Sequence, residues 1–197
     1  MKILTVSDTV SGDVFDSPET LQKYKDIDLI ISCGDLPPEF LSALRHRFDV
    51  PLMYVLGNHD LRYSASSPVG CRNIDRQIVS FNDFTFVGFS GSRWYNGGRN
   101  QYTEKQMARF IGGMRFSLWR SGGPDIVVTH APPRHIHDGE DPCHKGFRSF
   151  SRFIEKYKPS YFLHGHIHRN FEDDAERVTI VNTTRVINSY GFYVFEI

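Results

Sequence analysis

The sequence predicts an α/β fold in which a pair of β-sheets is flanked by helices. In the first half of the chain, nearly continuous apolar runs alternate with helix-like segments, which is typical of parallel strands buried on both faces. In the second half, a hairpin pattern is followed by further strands and helices and by short terminal strands. The order of elements is therefore βαβαβ, then ββα, βα, β and the terminal strands.

Three apolar runs in the first half predict strands over residues 2–7, 27–33 and 51–56. Helices are predicted between them, over residues 18–25 and 37–48. Each helix begins with a proline, which suits the first helical position because the N–H that proline lacks has no intrahelical partner there. Ser17 is the predicted N-cap of the first helix.

The second half begins with a predicted hairpin, because residues 77–80 and 85–89 flank the turn pair Asn82-Asp83. The longest helix candidate covers residues 103–119, where Gly112 and Gly113 are expected to break or kink it. The other predicted elements are strands at 125–129 and 161–163, a helix at 146–157, and closing strands at 178–181, 184–188 and 191–196.

Composition and charge exclude several classes of protein. The 197 residues carry 23 basic and 23 acidic side chains, so no overall charge attracts the molecule to nucleic acid or to an anionic membrane. The longest apolar run, residues 50–56, is far shorter than the roughly 20 residues that a membrane helix needs. We therefore expect one domain over residues 1–197, with no membrane partner and no strong nucleic-acid signature.

The number of cysteines and the amino-terminal residues indicate the cellular compartment of the protein. The 3 cysteines are odd in number and unpatterned, which argues against a disulfide framework. The first strand reaches Ser7 and Asp8 too soon to contain the apolar region of a secretory signal. The sequence therefore predicts a reduced, cytoplasmic protein.

Polar residues follow one rule along the chain: they come just after the carboxyl ends of predicted strands. These positions are Asp8, Asp35, Asn58, His130 and the cluster 164–168. Ligand sites of open α/β sheets are built at such ends. Carboxylate, amide and imidazole donors together suit divalent metals such as Mn²⁺, Fe²⁺ or Zn²⁺.

The motifs at these strand ends resemble, in order, those of the calcineurin-like metallophosphoesterases. They are Ser7-Asp8-Thr9-Val10, Gly34-Asp35, Gly57-Asn58-His59-Asp60, Thr129-His130-Ala131-Pro132-Pro133 and Gly165-His166-Ile167-His168. The resemblance extends from Asp8 to His168, and it is to a small, single-domain, bacterial-type member. It implies a four-layer αββα sandwich of two packed, mixed β-sheets flanked by helices.

The resemblance also implies an enzyme, a metal-dependent phosphoesterase with a dinuclear metal centre. Two divalent ions, Mn²⁺ first and Fe²⁺/Fe³⁺ or Zn²⁺ as alternatives, would share a bridging hydroxide that attacks a phosphodiester or phosphomonoester. His59 would act as the leaving-group acid, oriented by Asp60. The implied ligands are Asp35 as the bridge, Asp8 and His168 for metal one, and Asn58, His130 and His166 for metal two.

One position departs from the family pattern. The first motif of the family is usually Asp-x-His, and here Val10 stands where that histidine would bind metal one. Metal one would keep three protein ligands, which is a workable catalytic set, and Thr9, Ser11 or Asp13 are open as replacements. The departure leaves a second hypothesis, a catalytically weak or inactive scaffold or binding module of the same fold. A nuclease is a third hypothesis, against which the zero net charge argues.

Two loops hold further candidates for binding a small phosphoester, with a nucleotide among the possible substrates. In residues 90–101, Arg93 or Arg99 could hold a phosphate, and Trp94 or Tyr95 could stack on a base. The alternative is a glycine-rich surface loop. The loop 132–146 is long for a simple connection. Its candidates are His135, His137, Asp138 and His144, which could bind substrate or only cover the site.

Overall fold

The computed structural model describes residues 1–10 and 15–197. Its strands in chain order are β1 (Lys2–Ser7), β2 (Leu29–Ser32), β3 (Leu52–Tyr54), β4 (Cys71–Asn73), β5 (Ile78–Phe81), β6 (Phe84–Phe89), β7 (Ser92–Arg93), β8 (Gln101–Tyr102), β9 (Ile126–Thr129), β10 (Tyr161–His164), β11 (Val178–Val181), β12 (Thr184–Asn188) and β13 (Gly191–Glu196). The helices are α1 (Pro18–Lys23), α2 (Pro38–Phe48), α3 (Glu104–Gly113), α4 (Arg115–Arg120) and α5 (Arg148–Tyr157). Short 3₁₀ turns lie at Arg62–Ser64 and Asp174–Arg177.

The strands form two mixed sheets and a small ladder. The first sheet has the order β13-β1-β2-β3-β4, in which β13 is antiparallel to β1 and the other neighbours are parallel. The second sheet has the order β11-β12-β10-β9-β6-β5, with a parallel centre and an antiparallel pair at each edge. Strands β7 and β8 pair only with each other.

Alternating side chains of the strands build three apolar layers. In β1, Ile3 packs between the two sheets with residues such as Leu163 of β10, while Leu4 packs on the opposite face against α2. A third cluster joins the outer face of the second sheet to α3, α4 and α5. Because each sheet buries both faces, the layers are helix, sheet, sheet and helix. This confirms the predicted fold class.

Local signals in the sequence set several element ends. Asn82 and Asp83 both have positive φ, which matches the right-handed twist of the β5–β6 hairpin. The helical segment after residue 103 is divided at Met114, so the expected break is present. Thr103 and Gln106 form a reciprocal capping box at the start of α3.

Other details differ from the expectations. Helix α1 ends at Lys23 rather than at residue 25, and the Ser17 side chain makes no capping hydrogen bond. Strands β4, β7 and β8 were not predicted because each is two or three residues long and too short to show a hydrophobic period. Ser11 and Asp13, named above as replacement ligands, lie outside the described residues.

The structure bears on two further expectations. Cys33, Cys71 and Cys143 are all free thiols, as the unpatterned spacing indicates. Within residues 1–10 and 15–197, no helix combines the length and the apolar character needed to cross a membrane.

Candidate metal centre

The two sheets bring their carboxyl ends to one place. Parallel strands β1, β2 and β3 are followed by Asp8, Asp35 and Asn58, while β9 and β10 of the other sheet are followed by His130 and His166. The edges meet across the sandwich, where His130 Nε2 lies 3.3 Å from Asp35 Oδ2. The topology therefore gathers residues that are far apart in sequence.

The tightest group of candidate ligands is a carboxylate with two imidazoles. Asp35, His130 and His166 each offer a donor atom within 4.8 Å of the others. Asn58 adds an amide oxygen, since its Oδ1 lies 3.1 Å from His130 Nε2. These are the residues proposed for metal two and the bridge, and their oxygen and nitrogen donors fit a divalent transition metal.

Backbone carbonyls determine which imidazole nitrogens are free. His130 Nδ1 lies 2.8 Å from the carbonyl oxygen of Cys33, and His166 Nε2 lies 2.8 Å from that of Cys143. A carbonyl only accepts, so those two nitrogens carry the protons. In the neutral rings the lone pairs are consequently on His130 Nε2 and His166 Nδ1, and His130, whose pKa is raised, must lose its Nε2 proton before that nitrogen can bind a metal. Carbonyls that fix ring orientation in this way are typical of histidine metal ligands.

The pKa values in this group favour the binding of a cation. Burial acts to lower the pKa of His130, but the adjacent Asp35 carboxylate outweighs it and raises the pKa to about 9. Burial acts to raise the pKa of Asp35, but the charge and hydrogen bond of His130 lower it to about 2. Burial and the charge of His130 lower the pKa of His166 to about 4. Asp35 is thus ionised, and His166 offers a neutral imidazole.

The candidate ligands of metal one form a separate pair. The Asp8 side chain is buried, its Oδ2 accepts the backbone N–H of His166 at 2.9 Å, and its Oδ1 lies 3.3 Å from His168 Nε2. Burial acts to raise the pKa of Asp8, but the His168 hydrogen bond and nearby charges lower it. His168 is exposed on its other side and stacks on Tyr190 with ring centroids 4.9 Å apart. Val10 is 52% exposed and has no donor atom to add to this pair.

Backbone conformation at the site is unusual. Asp8, Asp35 and His166 have φ values of 66°, 57° and 68°, in the left-handed region that side chains with a Cβ rarely adopt. Such residues each cost on the order of 1–3 kcal/mol and collect at functional sites. Gly57 lies against the same carboxylate, since a Cβ there would overlap Oδ1 of Asp35.

Replacing Gly57 by Ala is expected to damage the site and the fold together. The new methyl group would displace the Asp35 carboxylate, and overpacking of this kind costs about 1–3 kcal/mol. Thermal unfolding with and without Mn²⁺ measures both effects. Gly112→Ala is the matched control, because a Cβ there meets nothing within 4 Å and alanine favours the helix. A Gly57→Ala protein with the parent's Mn²⁺-dependent melting temperature would contradict the tight contact.

Asp60 has a different position from the one expected. Its Oδ2 accepts the backbone N–H groups of Gly57 at 2.7 Å and of Asp35 at 2.8 Å. Burial raises the pKa of this carboxyl to about 6. The expected orientation of His59 by Asp60 is not seen among the described residues, because the carboxylate turns toward the backbone. His59 itself is exposed, and its N–H donates to Asp35 Oδ1 at 2.7 Å.

The loop after β6 contributes a tyrosine rather than an arginine to the site. Asn58 Nδ2 donates to Tyr95 Oη at 3.2 Å, which directs the amide oxygen of Asn58 toward His130. The Arg93 guanidinium pairs with Glu104 at 2.7 Å and lies over the Phe147 ring. Its contacts are therefore with other parts of the fold. Arg99 is exposed. These contacts do not support the expectation that Arg93 holds a phosphate, which stays a prediction.

The loop 132–146 is held by its own hydrogen bonds. The buried Asp138 carboxylate accepts from Arg134 Nη1 at 2.6 Å and from the N–H groups of His135 and Gly146. Asp138 thus supports the loop, and the contact with substrate expected of it stays a prediction. His144 pairs with Asp141, and its ring centroid lies 5.6 Å from that of His166.

A chain of hydrogen bonds joins this loop to the second sheet. His164 Nδ1 donates to the Gly165 carbonyl at 2.9 Å, so its Nε2 accepts from His137 Nδ1 at 2.8 Å. The His137 Nε2 atom then accepts from the Thr179 hydroxyl at 2.8 Å. Burial lowers the pKa of His164 to about 3 and that of His137 to about 4, which keeps both rings neutral. His137 thus holds the loop against the second sheet, and the contact with substrate expected of it stays a prediction.

Some participants had no signal in the sequence. The carbonyls of Cys33 and Cys143 orient ligands through the backbone, which every residue shares. Tyr190 lies in a turn between two terminal strands, far in sequence from His168. Only the Asn-Ser-Tyr-Gly turn composition marks that position.

Comparisons with known proteins bear on the family and the fold. The sequence model of the family described as calcineurin-like phosphoesterase matches residues 1–170. An uncharacterised protein of Methanocaldococcus jannaschii is 27% identical, with 92% of this chain and 86% of that protein aligned. A crystal structure of a Thermus thermophilus protein has a TM-score of 0.66 at 15% identity, covering 96% of this chain and 89% of the other. GAP50, the anchor in the inner membrane complex of Plasmodium, has a TM-score of 0.58 at 13% identity, covering 95% and 70%.

Proposed function

Because the chain belongs to the calcineurin-like phosphoesterase family, we propose that it hydrolyses phosphodiester or phosphomonoester bonds at a dinuclear metal centre. The observation that carries the proposal is the meeting of Asp35, His130 and His166 within 4.8 Å at the carboxyl ends of strands from both sheets. Small phosphoesters, a nucleotide among them, are the proposed substrates.

The proposed ligands divide between two divalent ions that share Asp35. Mn²⁺ is the proposed metal, with Fe²⁺/Fe³⁺ or Zn²⁺ as alternatives. When bound, the ions supply a hydroxide nucleophile at neutral pH and neutralise charge on the phosphoryl group. Asp8 and His168 would hold the first ion, and Asn58, His130 and His166 the second.

Other residues of the site are proposed to prepare the substrate for hydrolysis. Asn58 is a neutral ligand, so it adds no negative charge where a phosphate must approach, and Tyr95 keeps its oxygen inward. His59 is exposed beside Asp35 and is proposed to donate a proton to the leaving oxygen. Asp60 fixes the loops that carry Asp35 and His59 by accepting two backbone N–H groups.

Metal titration with a parallel assay tests this function. Metal-free protein is titrated with Mn²⁺ by calorimetry while hydrolysis of bis-p-nitrophenyl phosphate and p-nitrophenyl phosphate is followed. The expected result is two sites, with activity following occupancy of the weaker one. One tight site and no hydrolysis of either ester at any Mn²⁺ concentration would overturn the proposal.

Val10→His should strengthen the first metal site. Position 10 directly follows Thr9 beside Asp8, and a histidine there would restore the donor that the family pattern has. We expect the weaker Mn²⁺ dissociation constant to fall by about 10-fold or more, a change of the size that one good ligand contact provides. Val69→His is the control, since Val69 is 78% exposed and precedes the amino end of β4 rather than following a carboxyl strand end. Equal binding by Val10→His and the parent protein would show that position 10 does not reach the ion.

An exposed aromatic pair favours the second candidate, a scaffold or binding module. Phe116 and Trp119 on α4 are 69% and 76% exposed, with ring centroids 6.0 Å apart. Exposed apolar patches of this kind are found at protein interaction sites. This candidate takes precedence if the Mn²⁺ titration gives binding without hydrolysis.

A further inference from the structure

A groove beside the candidate metal centre has the chemistry of a binding site. It encloses about 700 Å³ between α1, the loop after β10 and strand β13. We call it the β13 groove. The lining residues that matter here are Thr9, Lys23, Tyr24, Arg169, Phe171, Arg177 and Tyr190.

The β13 groove is adjacent to the metal-one pair, because two of its lining residues neighbour Asp8 and His168. Thr9 directly follows Asp8 in the chain. At the other wall, the Tyr190 ring stacks on His168 at 4.9 Å with an interplanar angle of 24°. His168 in turn lies 3.3 Å from Asp8. A molecule with a phosphoryl group at the metal centre could therefore extend directly into the groove.

The charges of the groove are mainly positive. The Arg177 guanidinium contacts other parts of the fold, because it pairs with Asp174 at 3.0 Å and donates to the Tyr190 carbonyl at 2.8 Å. This pairing also neutralises Asp174, the acidic side chain of the lining. Lys23 is exposed and lies 5.1 Å from the Tyr24 ring centroid. The contact of Arg169 with Glu176 is long, at 3.5 Å, and exposed, so it is weak.

Aromatic faces accompany these cations. Arg177 and Arg169 lie 4.2 Å and 5.7 Å from the Phe171 ring centroid. Tyr24 and Tyr190 provide further rings along the lining. Aromatic and guanidinium planes stack on flat heterocycles, while lysine and arginine pair with phosphate.

We propose that the β13 groove is a subsite for the retained part of an extended phosphoester, one that carries a planar ring and a second anionic group. The ring would lie against the aromatic lining, and the anionic group would meet Lys23 and Arg169. A nucleoside bearing a further phosphate has this chemistry. The inference rests on the proposed function, because it assigns the bond being cleaved to the adjacent metal centre.

Substrates that share one leaving group test the subsite. The probes are p-nitrophenyl esters of methyl phosphate, of thymidine 5′-phosphate, and of thymidine 5′-phosphate with an added 3′-phosphate. Because the leaving group is constant, differences in kcat/KM report the retained part. We expect the value to rise across the series, by about 10-fold for the added phosphate.

Variants show which residues of the groove cause the rise in kcat/KM across the three esters. The double variant Lys23→Ala/Arg169→Ala should lose most of the ratio between the second and third esters. Phe171→Ala should lower the ratio between the first and second. Lys105→Ala is the matched control, an exposed lysine on α3 at the other helical layer, and it should keep both ratios. Equal kcat/KM for all three esters, with measurable hydrolysis, would overturn the subsite and leave the proposed function standing.

A binding measurement separates the subsite from catalysis. Thymidine 3′,5′-bisphosphate is titrated by calorimetry into Mn²⁺-loaded parent and double-variant protein. Binding about 10-fold weaker in the double variant supports the subsite even if none of the esters is hydrolysed, which would refute the proposed function alone. Equal binding, or binding by neither protein, would overturn the subsite.

Discussion

Replacing Asp35 by Asn is expected to abolish hydrolysis and most metal binding. Asp35 lies at the junction of the two sheets, 3.3 Å from His130, and it is the proposed ligand of both ions. The amide has nearly the same shape but lacks the negative charge that holds a cation in this buried place. Several kcal/mol of lost charge stabilisation corresponds to an activity loss on the order of 10³-fold. Calorimetric Mn²⁺ titration and kcat/KM for bis-p-nitrophenyl phosphate measure the two effects.

Asp49→Asn is the control for this substitution. Asp49 also has a left-handed backbone, with φ of 50°, but it lies at the exposed end of α2. The same chemical change there should leave Mn²⁺ affinity and activity at the parent level. Retention of two Mn²⁺ sites by Asp35→Asn would remove Asp35 from the bridging position.

Replacing His59 by Ala is expected to slow turnover while sparing metal binding. Its imidazole is exposed and its backbone N–H contacts Asp35, so the side chain can be removed without touching a proposed ligand. General acid catalysis contributes about 10²–10⁴-fold, and only where the leaving oxygen needs a proton. The loss should therefore be large for alkyl phosphodiesters and small for p-nitrophenyl esters.

The control for His59 is an exposed histidine outside the site. His46 on α2 meets this condition, and His46→Ala should leave both classes of ester unaffected. An equal loss for alkyl and p-nitrophenyl esters in His59→Ala would instead indicate a role in binding or in loop position. Mn²⁺ calorimetry on the same protein shows whether the metal centre is intact.

Much of the fold follows from local patterns in the sequence. Continuous apolar runs such as β2 are typical of strands buried on both faces, which favours parallel centres in the sheets. Once strands are parallel, their carboxyl ends share an edge, and Asp8 and Asp35 come together as neighbours. The facing of the two sheets, which brings His130 to Asp35, is a tertiary packing result that no local pattern contains.

The site predictions that the structure does not support concern charged side chains whose partners lie elsewhere in the chain. Arg93 and Asp138 are in loops beside the site, so a substrate contact was a reasonable hypothesis. In the structure, Arg93 pairs with Glu104 and Asp138 pairs with Arg134, so each charge has a partner of opposite sign within the protein. Asp60 bonds to backbone N–H groups, and such contacts leave no residue-type signature. A sequence gives the chemical type of a side chain but not the partner toward which that side chain points.

The left-handed backbone at Asp8, Asp35 and His166 has a consequence for engineering a heat-resistant form of this protein. Asparagine or glycine would adopt these conformations at lower cost, so design by relief of backbone strain would select these positions first. Each such change would remove a carboxylate or imidazole donor from the site. Thermostability and chemistry therefore favour different residues here, and stabilising changes belong on open helical positions such as Gly113, where a side chain meets no neighbour.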